Sequence, residues 1–296
     1  MSTRSKVFLG LGFYVLVMIL VGVIFGSHRT ESEFLPQNEF KLDTWVDLPG
    51  PFDINKAVLY LFIAAALTVG TMVYIAKRMQ ERPNRVQTGV EVLYTFMRDN
   101  ITGTNMDRRM AAKWFPFLAA LFLFIWYSNL IGYLPLPTNT QETFDVFGVG
   151  VPAFALFAAT ANISVPLVLA LVVFISFNVE GVRAKGLAGY LKSLIPEGIH
   201  GPAAIPIFGL EVMSTTMRIV SLSVRLFANI LAGHLIILFM SGGLAVLLGL
   251  EVVGVFTLPF GIVLFMFELG LIATLQAFIF AVLSAIYLGG AVAESH

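Results

Sequence analysis

Long apolar runs recur along the chain, and each is long enough to cross a lipid bilayer as a helix. A spanning helix needs about 20 apolar residues, because the hydrocarbon layer is roughly 30 Å thick and each residue adds about 1.5 Å. Only 12% of the 296 residues are charged, which is about half the share of a typical soluble domain. The sequence therefore predicts an all-α polytopic membrane protein with about six membrane helices, forming a single membrane domain over residues 1–296.

Four apolar runs precede the last third of the chain and are predicted to be membrane helices. They cover residues 7–26, 57–76, 115–134 and 152–177. The first run has the length of a retained helix, whereas a signal peptide usually has a shorter apolar core and a small-residue cleavage site directly after it. Residues 86–101 place apolar side chains at helical spacing among polar ones, which predicts an amphipathic helix at the membrane surface. Loops are expected at 135–151 and 178–206.

The last third of the chain contains two longer helical patterns, residues 207–245 and 252–290. A helix of about 39 residues is roughly 58 Å long, about twice the hydrocarbon thickness. Such a helix must tilt steeply, bend or lie partly in the membrane plane. We expect two long, strongly tilted, antiparallel helices that form a curved wall against a partner.

The distribution of basic residues predicts the orientation of the chain. Segments 1–6, 77–113 and 178–200 contain 13 of the 18 Lys and Arg residues. Because cytoplasmic loops are enriched in Lys and Arg, these segments are predicted to be cytoplasmic, together with both termini.

Several classes of function lack support in the sequence. The chain has no Cys and only four His, and it contains no HExxH, P-loop or GxSxG motif. These absences argue against a self-contained enzyme, so we expect no catalytic residue, metal site or cofactor. The formal net charge is zero, and no basic face typical of a nucleic-acid partner is evident.

An arginine lies in the middle of the first long pattern, in the stretch MRIVSLSVRLFANILAGHLIILFM, residues 217–240. Arg225 has Ser221 and Asn229 four residues to either side, on the same helical face. Glu211 and Arg218 precede it at seven-residue spacing and share that face. An ionisable group inside the bilayer is a functional candidate, because it is costly to keep there. Arg stays charged, so it can attract a carboxylate or block a cation leak but cannot itself carry a proton.

Other polar residues follow Arg225 on both long patterns. His234 lies nine residues further, on the opposite side of the same helix. The second pattern contains Glu268, Gln276 and Tyr287, of which the last two are eleven residues apart on one face. Glu and His can relay protons, and His titrates near neutral pH. Together these residues are typical of a proton pathway.

Most of these residues also have a purely structural interpretation. Glu211 and Arg218 are spaced to form an ion pair, and His234 is compatible with a hydrogen-bonded buried site. The polar residues of the second pattern are compatible with helix packing. Asn129 and Asn162, in earlier runs, are interpreted as packing groups and not as conductors.

Four sequence blocks resemble one family, the subunit a of rotary F-type ATP synthases. SLSVRLFANILAGHLI resembles its arginine signature, and LQAFIFAVLSAIYL resembles its final helix. PNRVQTGVEVLYTFMRDNI is similar to its amphipathic surface helix, and NLIGYLPLP to its outer loop. The order and spacing of the blocks also fit, and the resemblance covers about residues 50–292.

The resemblance implies roles for individual residues. Arg225 matches the essential arginine that faces the carboxylates of the ring of c subunits, and Asn229 matches the Asn of the motif. Glu211 matches the acid fourteen residues before the arginine. His234 stands where members have Glu or His. Members with His at that position tend to have a Glu in the last helix, and Glu268 resembles that Glu.

Three features depart from the usual pattern of the family. The acid of the last helix normally lies seven residues before the Gln, whereas Glu268 lies eight residues before Gln276. Thr160 stands where many relatives have an acid. The run at 7–26 gives six membrane helices where many bacterial relatives have five.

The function implied by the resemblance is that of a stator subunit that is not catalytic by itself. Protons would enter an outer half-channel lined by residues such as Glu211, His234 and Glu268 and bind to a carboxylate of the ring. After rotation of the ring, Arg225 would cause that carboxylate to release the proton into an inner half-channel. The implied partners are the c ring, the b subunits of the peripheral stalk, the rest of the F1Fo complex and the lipid bilayer. The implied location is the bacterial plasma (inner) membrane, and the implied ion is H⁺.

Two other classes of function fit the sequence less well. A stand-alone ion channel or secondary transporter would favour inverted repeats or paired broken helices, and the sequence shows neither. A membrane-embedded hydrolase would need a nucleophile or metal cluster, and none is evident.

Overall fold

The computed structural model describes residues 42, 44–46, 54–77, 79, 84–134, 136–146, 149–195, 204–240 and 251–292. The helix expected at 7–26 lies outside these residues. Seven α-helices are present in the described part: α1 (Lys56–Lys77), α2 (Arg85–Phe96), α3 (Arg108–Gly132), α4 (Ser164–Ser193), α5 (Ala204–Leu238), α6 (Glu251–Phe267) and α7 (Ala273–Val292). The described part also contains the π-helical segments Met97–Gly103 and Glu268–Ile272 and a 3₁₀ turn, Ala159–Ala161.

Within the described ranges, five helical stretches are long and apolar enough to cross a membrane. Four are α1, α3, α4 and α5, and the fifth is Thr257–Val292, where the π-helical segment joins α6 to α7. This confirms the all-α polytopic membrane fold. The steep tilt and antiparallel arrangement of the last two helices stay predictions.

Strands precede α1 and also lie between α3 and α4, in two antiparallel two-stranded sheets. β1 (Thr44–Val46) pairs with β2 (Ile54–Asn55), and β3 (Leu136–Val146) pairs with β4 (Val149–Ala155). Strand β4 occupies the start of the run at 152–177, so the helix begins later than expected, at Ser164. The Asn162 Oδ1 accepts a hydrogen bond of 3.0 Å from the Ser164 N–H. Pro166 lies in the first turn, where a missing N–H costs nothing.

Helix α4 continues into the expected loop at 178–206 and ends at Ser193, with a break at Gly186. Gly186 has φ 73° and ψ 162°, a combination that is essentially restricted to glycine. The chain reverses at Gly186. This is shown by the Tyr190 hydroxyl, which donates a 2.9 Å hydrogen bond to Asn178 Oδ1, twelve residues earlier. The short helix after the break therefore folds back on the end of α4.

The larger of two compact units comprises Leu42–Leu231 and Leu269–His296, and the smaller one includes Ala232–Glu268. In the larger unit, α3 packs against α1 and α7, and α4 packs against α7. Leu118, Phe122 and Ile125 of α3 are buried in this core. The prediction of a single membrane domain stays a prediction.

The helix predicted at 86–101 is shorter than expected. It begins at Arg85, where the Asn84 side chain accepts a 2.7 Å hydrogen bond from the Gln87 N–H, as an N-cap residue does. At Met97 the backbone changes to a π-helical segment, which packs against α3 and α7. Its placement at a membrane surface stays a prediction.

Candidate functional site

Arg225 lies on the exposed face of α5. Ser221, Val224, Ala228 and Asn229 are exposed on the same side, whereas the opposite side is buried through residues that include Leu222, Leu226 and Ile230.

Neither Arg225 nor Asn229 has a side-chain hydrogen bond or ion pair with any residue that the structure describes. An uncompensated charge on an apolar helix is costly. Any group that compensates the charge of Arg225 therefore lies outside the described part of this chain.

Glu211 and Arg218 come together with Tyr287. The Arg218 Nη2 lies 4.0 Å from Glu211 Oε1, and the guanidinium carbon lies 4.9 Å from the centroid of the Tyr287 ring. The two charged side chains are 34% and 40% exposed, so their ion pair contributes at most about 1 kcal/mol. Sequence spacing had suggested this pair, and the aromatic contact adds the second long pattern to it.

These three residues line a cavity of about 370 Å³ between the end of α4, the start of α5 and the end of α7. We call it the basic cavity, and its polar lining includes Lys185, Tyr190, Ser193, Glu211, Arg218 and Tyr287. It lies where α4 ends, next to the segment that the basic-residue pattern assigns to the cytoplasm. Glu211 and Arg225 are fourteen residues apart, or about 21 Å along α5.

Gln276 is buried on α7 and does not line the basic cavity. Gln276 and Tyr287 share a helical face by spacing, but the structure gives them different surroundings. The Gln276 side chain has no hydrogen bond to any residue in the described ranges.

Asn129 and Thr160 join three elements of the core. The Asn129 side chain is 0% exposed, and its amide donates a 3.2 Å hydrogen bond to the Ala273 carbonyl. The Thr160 hydroxyl donates a 2.7 Å hydrogen bond to Asn129 Oδ1. These contacts agree with the interpretation of Asn129 as a packing group, and Thr160 is part of the same contact.

In the smaller unit, His234 is buried with 4% exposure, and Glu268 opens the π-helical segment Glu268–Ile272. The Glu268 carboxyl group lies against Gly233, so closely that a Cβ added to Gly233 would overlap it. Only glycine leaves room for this approach. The interval of eight residues between Glu268 and Gln276 contains this segment, and a π-turn holds about one residue more than an α-turn.

An ion pair that the sequence pattern did not predict joins Lys113 of α3 to Glu180 of α4. Glu180 is 5% exposed, and its Oε2 has no hydrogen-bond partner among the described residues. It was missed because its segment was assigned to a loop. The available signal was spacing, since Val173, Phe177 and Glu180 are all buried and lie four and three residues apart, as on one side of a helix.

No group of three or more His, Cys, Asp or Glu residues that could hold a metal ion occurs in the described part of the chain.

The polar residues Arg225, Ser221 and Asn229 form an exposed patch on α5. The basic cavity and the Gly233–Glu268 contact are separate features.

Comparison with known proteins identifies the family. The family model described as ATP synthase A chain matches residues 58–289. The chain is 37% identical to ATP synthase subunit a of Rubrobacter xylanophilus over 88% of this chain and 95% of the relative. It is 33% identical to that of Myxococcus xanthus over 84% and 78%, and 34% identical to that of Bradyrhizobium diazoefficiens over 82% and 89%. The resemblance seen in the sequence is confirmed, and the chain belongs to the ATP synthase A chain family.

Proposed function

We propose that the chain is the stator subunit a of a rotary F-type ATP synthase, with Arg225 as the fixed charge that faces a ring of c subunits. The exposed position of Arg225, without an ion-pair partner in the described part of the chain, carries this proposal. A passing carboxylate on a second protein would supply the missing negative charge. Ser221 and Asn229 flank the arginine and add hydrogen-bonding groups to the same patch.

The arginine acts on the proton without carrying it. A ring carboxylate that arrives protonated meets the guanidinium, which favours the ionised form and so releases the proton. The same charge repels cations and blocks a direct leak between the two sides. Each elementary charge that crosses the membrane contributes about 2.3 kcal/mol per 100 mV, and several such steps per turn would drive ATP formation elsewhere in the complex.

The basic cavity is assigned to the inner half-channel, with Glu211 as its proton-accepting group. This assignment differs from the outer half-channel that the family resemblance implies for Glu211. Glu211 lies about 21 Å before Arg225 along α5, in a cavity lined by the end of α4, and the basic segment around that end is predicted to be cytoplasmic.

His234 and Glu268 are assigned to the outer half-channel. They belong to the smaller unit, and along α5 His234 follows Arg225, whereas Glu211 precedes it. A buried imidazole and a carboxylate held against a helix backbone are both able to relay protons. The role of Gln276 rests on the family resemblance alone.

The partners and the location follow from this role. The c ring, the b subunits of the peripheral stalk and the rest of the F1Fo complex are the proposed partners, and the bacterial plasma (inner) membrane is the proposed location. The relatives named above are all bacterial proteins called ATP synthase subunit a. The translocated ion is H⁺, the chain holds no cofactor, and it makes no ATP itself.

The test compares two arginines on one helix. Arg225→Ala should lower ATP synthesis in energised vesicles at least about 100-fold, the typical effect of losing a fixed charge from a preorganised site. Arg218→Ala should reduce it far less, because Arg218 already has partners within the chain. Assembly of both complexes is checked by co-purification with the c subunit. Retained ATP-driven proton pumping by the Arg225→Ala complex in inverted vesicles would refute the proposal, and proton conduction by the isolated chain in liposomes would favour a stand-alone channel.

A further inference from the structure

We infer that an apolar groove between α1, α3 and α4 binds an anionic phospholipid, with one acyl chain in the groove and the headgroup at the predicted cytoplasmic end. The groove is lined by residues of these three helices and not by α5. The inference therefore goes beyond the proposed function and does not depend on the role of Arg225.

The apolar groove is an open crevice of about 290 Å³. The only polar side chain in its described lining is Thr68, whose hydroxyl donates a 2.7 Å hydrogen bond to the Ala64 carbonyl of its own helix. Val69 and Val172, at its edges, are 62% and 42% exposed. Such a lining favours hydrocarbon over any polar ligand. The lining includes Ala65, Val69, Phe117, Ala120, Phe124 and Val172.

The sides of α3 and α4 that line the groove continue to a group of charged residues. On α3, Lys113 lies four residues before Phe117 and is on the same side of the helix. On α4, Arg183 lies eleven residues after Val172, about three turns further on the same side. The ion pair between Lys113 and Glu180 joins the two helices at this level. The charged group therefore lies at one end of the groove.

This end of the groove carries an excess of positive charge. Arg109, Lys113 and Arg183 are cationic and Glu180 is anionic, so three positive charges stand against one negative charge. Arg109 and Arg183 are exposed, and neither side chain has a hydrogen bond or ion pair with a residue that the structure describes. The Lys113 side chain is still 51% exposed beside its partner. The end of the groove therefore favours an anion.

An anionic phospholipid matches the apolar part and the charged part together. Phe124 lies eleven residues after Lys113, or about 16 Å along α3, which is close to half of the roughly 30 Å hydrocarbon layer. The acyl chain of a lipid in one leaflet covers that depth. The basic residues belong to segments predicted to be cytoplasmic, and basic pockets between membrane helices on that side are typical sites for anionic headgroups.

A helix of another subunit fits the groove less well. A membrane helix is about 10 Å wide, so it would lie over a crevice of 290 Å³ and not inside it. An apolar helix would also leave Arg109 and Arg183 without a negative partner. The charge at the end of the groove thus favours a lipid over a helix.

The experiment uses the complete complex in phosphatidylcholine vesicles that contain a small fraction of photoreactive phosphatidylglycerol, with a diazirine at the end of one acyl chain. After irradiation, labelled peptides are identified by mass spectrometry. Residues 117–124 should be labelled at least about fivefold more than by phosphatidylcholine with the same reactive chain. The double variant Arg109→Gln/Arg183→Gln should lower the labelling by phosphatidylglycerol about 25-fold, since each basic side chain changes the binding of an anionic lipid roughly fivefold.

The matched control removes two basic side chains from the other side of α3. Arg85 and Arg98 are exposed, in α2 and in the π-helical segment that follows it. Helix α2 contacts α3 through Tyr94 and Phe115, and Phe115 lies two residues before Phe117, which places it on the opposite side of α3 from the groove. The double variant Arg85→Gln/Arg98→Gln should therefore leave the labelling of residues 117–124 unchanged.

A third variant tests the groove without changing its charges. Ala120→Trp fills the crevice and should remove most of the label from residues 117–124, with assembly checked by co-purification with the c subunit. Equal labelling of the wild type by the two lipids would overturn the inference, and so would unchanged labelling in the Arg109→Gln/Arg183→Gln or Ala120→Trp complex. A groove that takes no label, as expected if a helix of another subunit covers it, would overturn it as well. The proposed function is tested by ATP synthesis and is unaffected by any of these outcomes.

Discussion

Replacing Gly233 with alanine should move the Glu268 carboxylate without lowering the stability of the helix. A Cβ at Gly233 would overlap the carboxyl group of Glu268. That group is the end of a flexible side chain, so it can move aside at little cost. The helix itself gains about 0.5–1 kcal/mol when Gly becomes Ala in its interior. The complex should therefore assemble as well as wild type.

Proton transfer should suffer even though folding does not. A displacement of about 1 Å in a reacting group can cost about 100-fold in rate, and we expect a loss of between 10-fold and 100-fold in ATP-driven proton pumping. The assay is dye quenching in inverted vesicles, normalised to the amount of assembled complex. Gly209→Ala is the matched control, because Gly209 is also in α5 and a Cβ there has nothing within 4 Å.

The reasoning would be refuted if Gly233→Ala pumped as well as Gly209→Ala. A rescue experiment adds a second readout. Glu268→Asp shortens the side chain by one methylene group and makes room for the new Cβ, so the double variant should pump better than Gly233→Ala alone. A double variant that pumps worse than either single variant would show that the loss has another cause.

Two further substitutions test the fold. Asn129→Leu removes both hydrogen bonds of Asn129 in the core and should lower the free energy of unfolding by about 1–3 kcal/mol. The measurement is the thermal inactivation midpoint of the detergent-solubilised complex, which should fall. Asn100→Leu is the control, because the exposed Asn100 amide donates only to the Phe96 carbonyl of its own turn, and it should change the midpoint little. Gly186→Ala forces a Cβ into a glycine-only conformation and should cost about 1–3 kcal/mol, whereas Gly209→Ala should not lower the midpoint. Equal midpoints within either pair would contradict the corresponding explanation.

The membrane helices could be predicted because the bilayer makes one demand on all of them. Every backbone polar group must be satisfied within the hydrocarbon layer, so a long apolar run has to be helical. The runs at 57–76 and 115–134 accordingly match α1 and α3 closely. Outside the hydrocarbon layer water can satisfy the backbone polar groups, so composition does not fix the structure there. It predicted loops at 135–151 and 178–206, where the structure has strands β3 and β4 and the continuation of α4.

The start and end of α4 show why those segments were harder. Several glycines near its end suggested a loop, but a single glycine, Gly186, makes the turn while Gly181 and Gly189 lie within helix. Before its start, the pairing of β3 with β4 depends on contacts between separate segments, which periodicity within one segment does not reveal. The helix start at Ser164 is a local matter, set by Asn162 and Pro166, and was readable in principle.

The candidate site divides in the same way. Arg225 could be selected as a candidate from the sequence alone, since a charged side chain in an apolar helix is costly to keep in the bilayer. The contact between Arg218 and Tyr287 could not, because it joins positions 69 residues apart in the sequence. Glu268 was placed by family resemblance, and its closeness to Gly233 depends on how two separate helices approach each other.

The ion pair between Lys113 and Glu180 has a consequence for biogenesis. Both residues lie in segments that the basic-residue pattern predicts to be cytoplasmic, so the pair is near the predicted cytoplasmic sides of α3 and α4. A buried carboxylate at the membrane boundary is costly alone, whereas one that meets an ammonium group from a neighbour is compensated. Helix α3, which carries Lys113, is synthesised before α4, so the compensating ammonium group already exists when Glu180 emerges from the ribosome. Membrane integration of α4 should therefore become less efficient when Lys113 is replaced by methionine, an effect on insertion that a study of the assembled enzyme would not reveal.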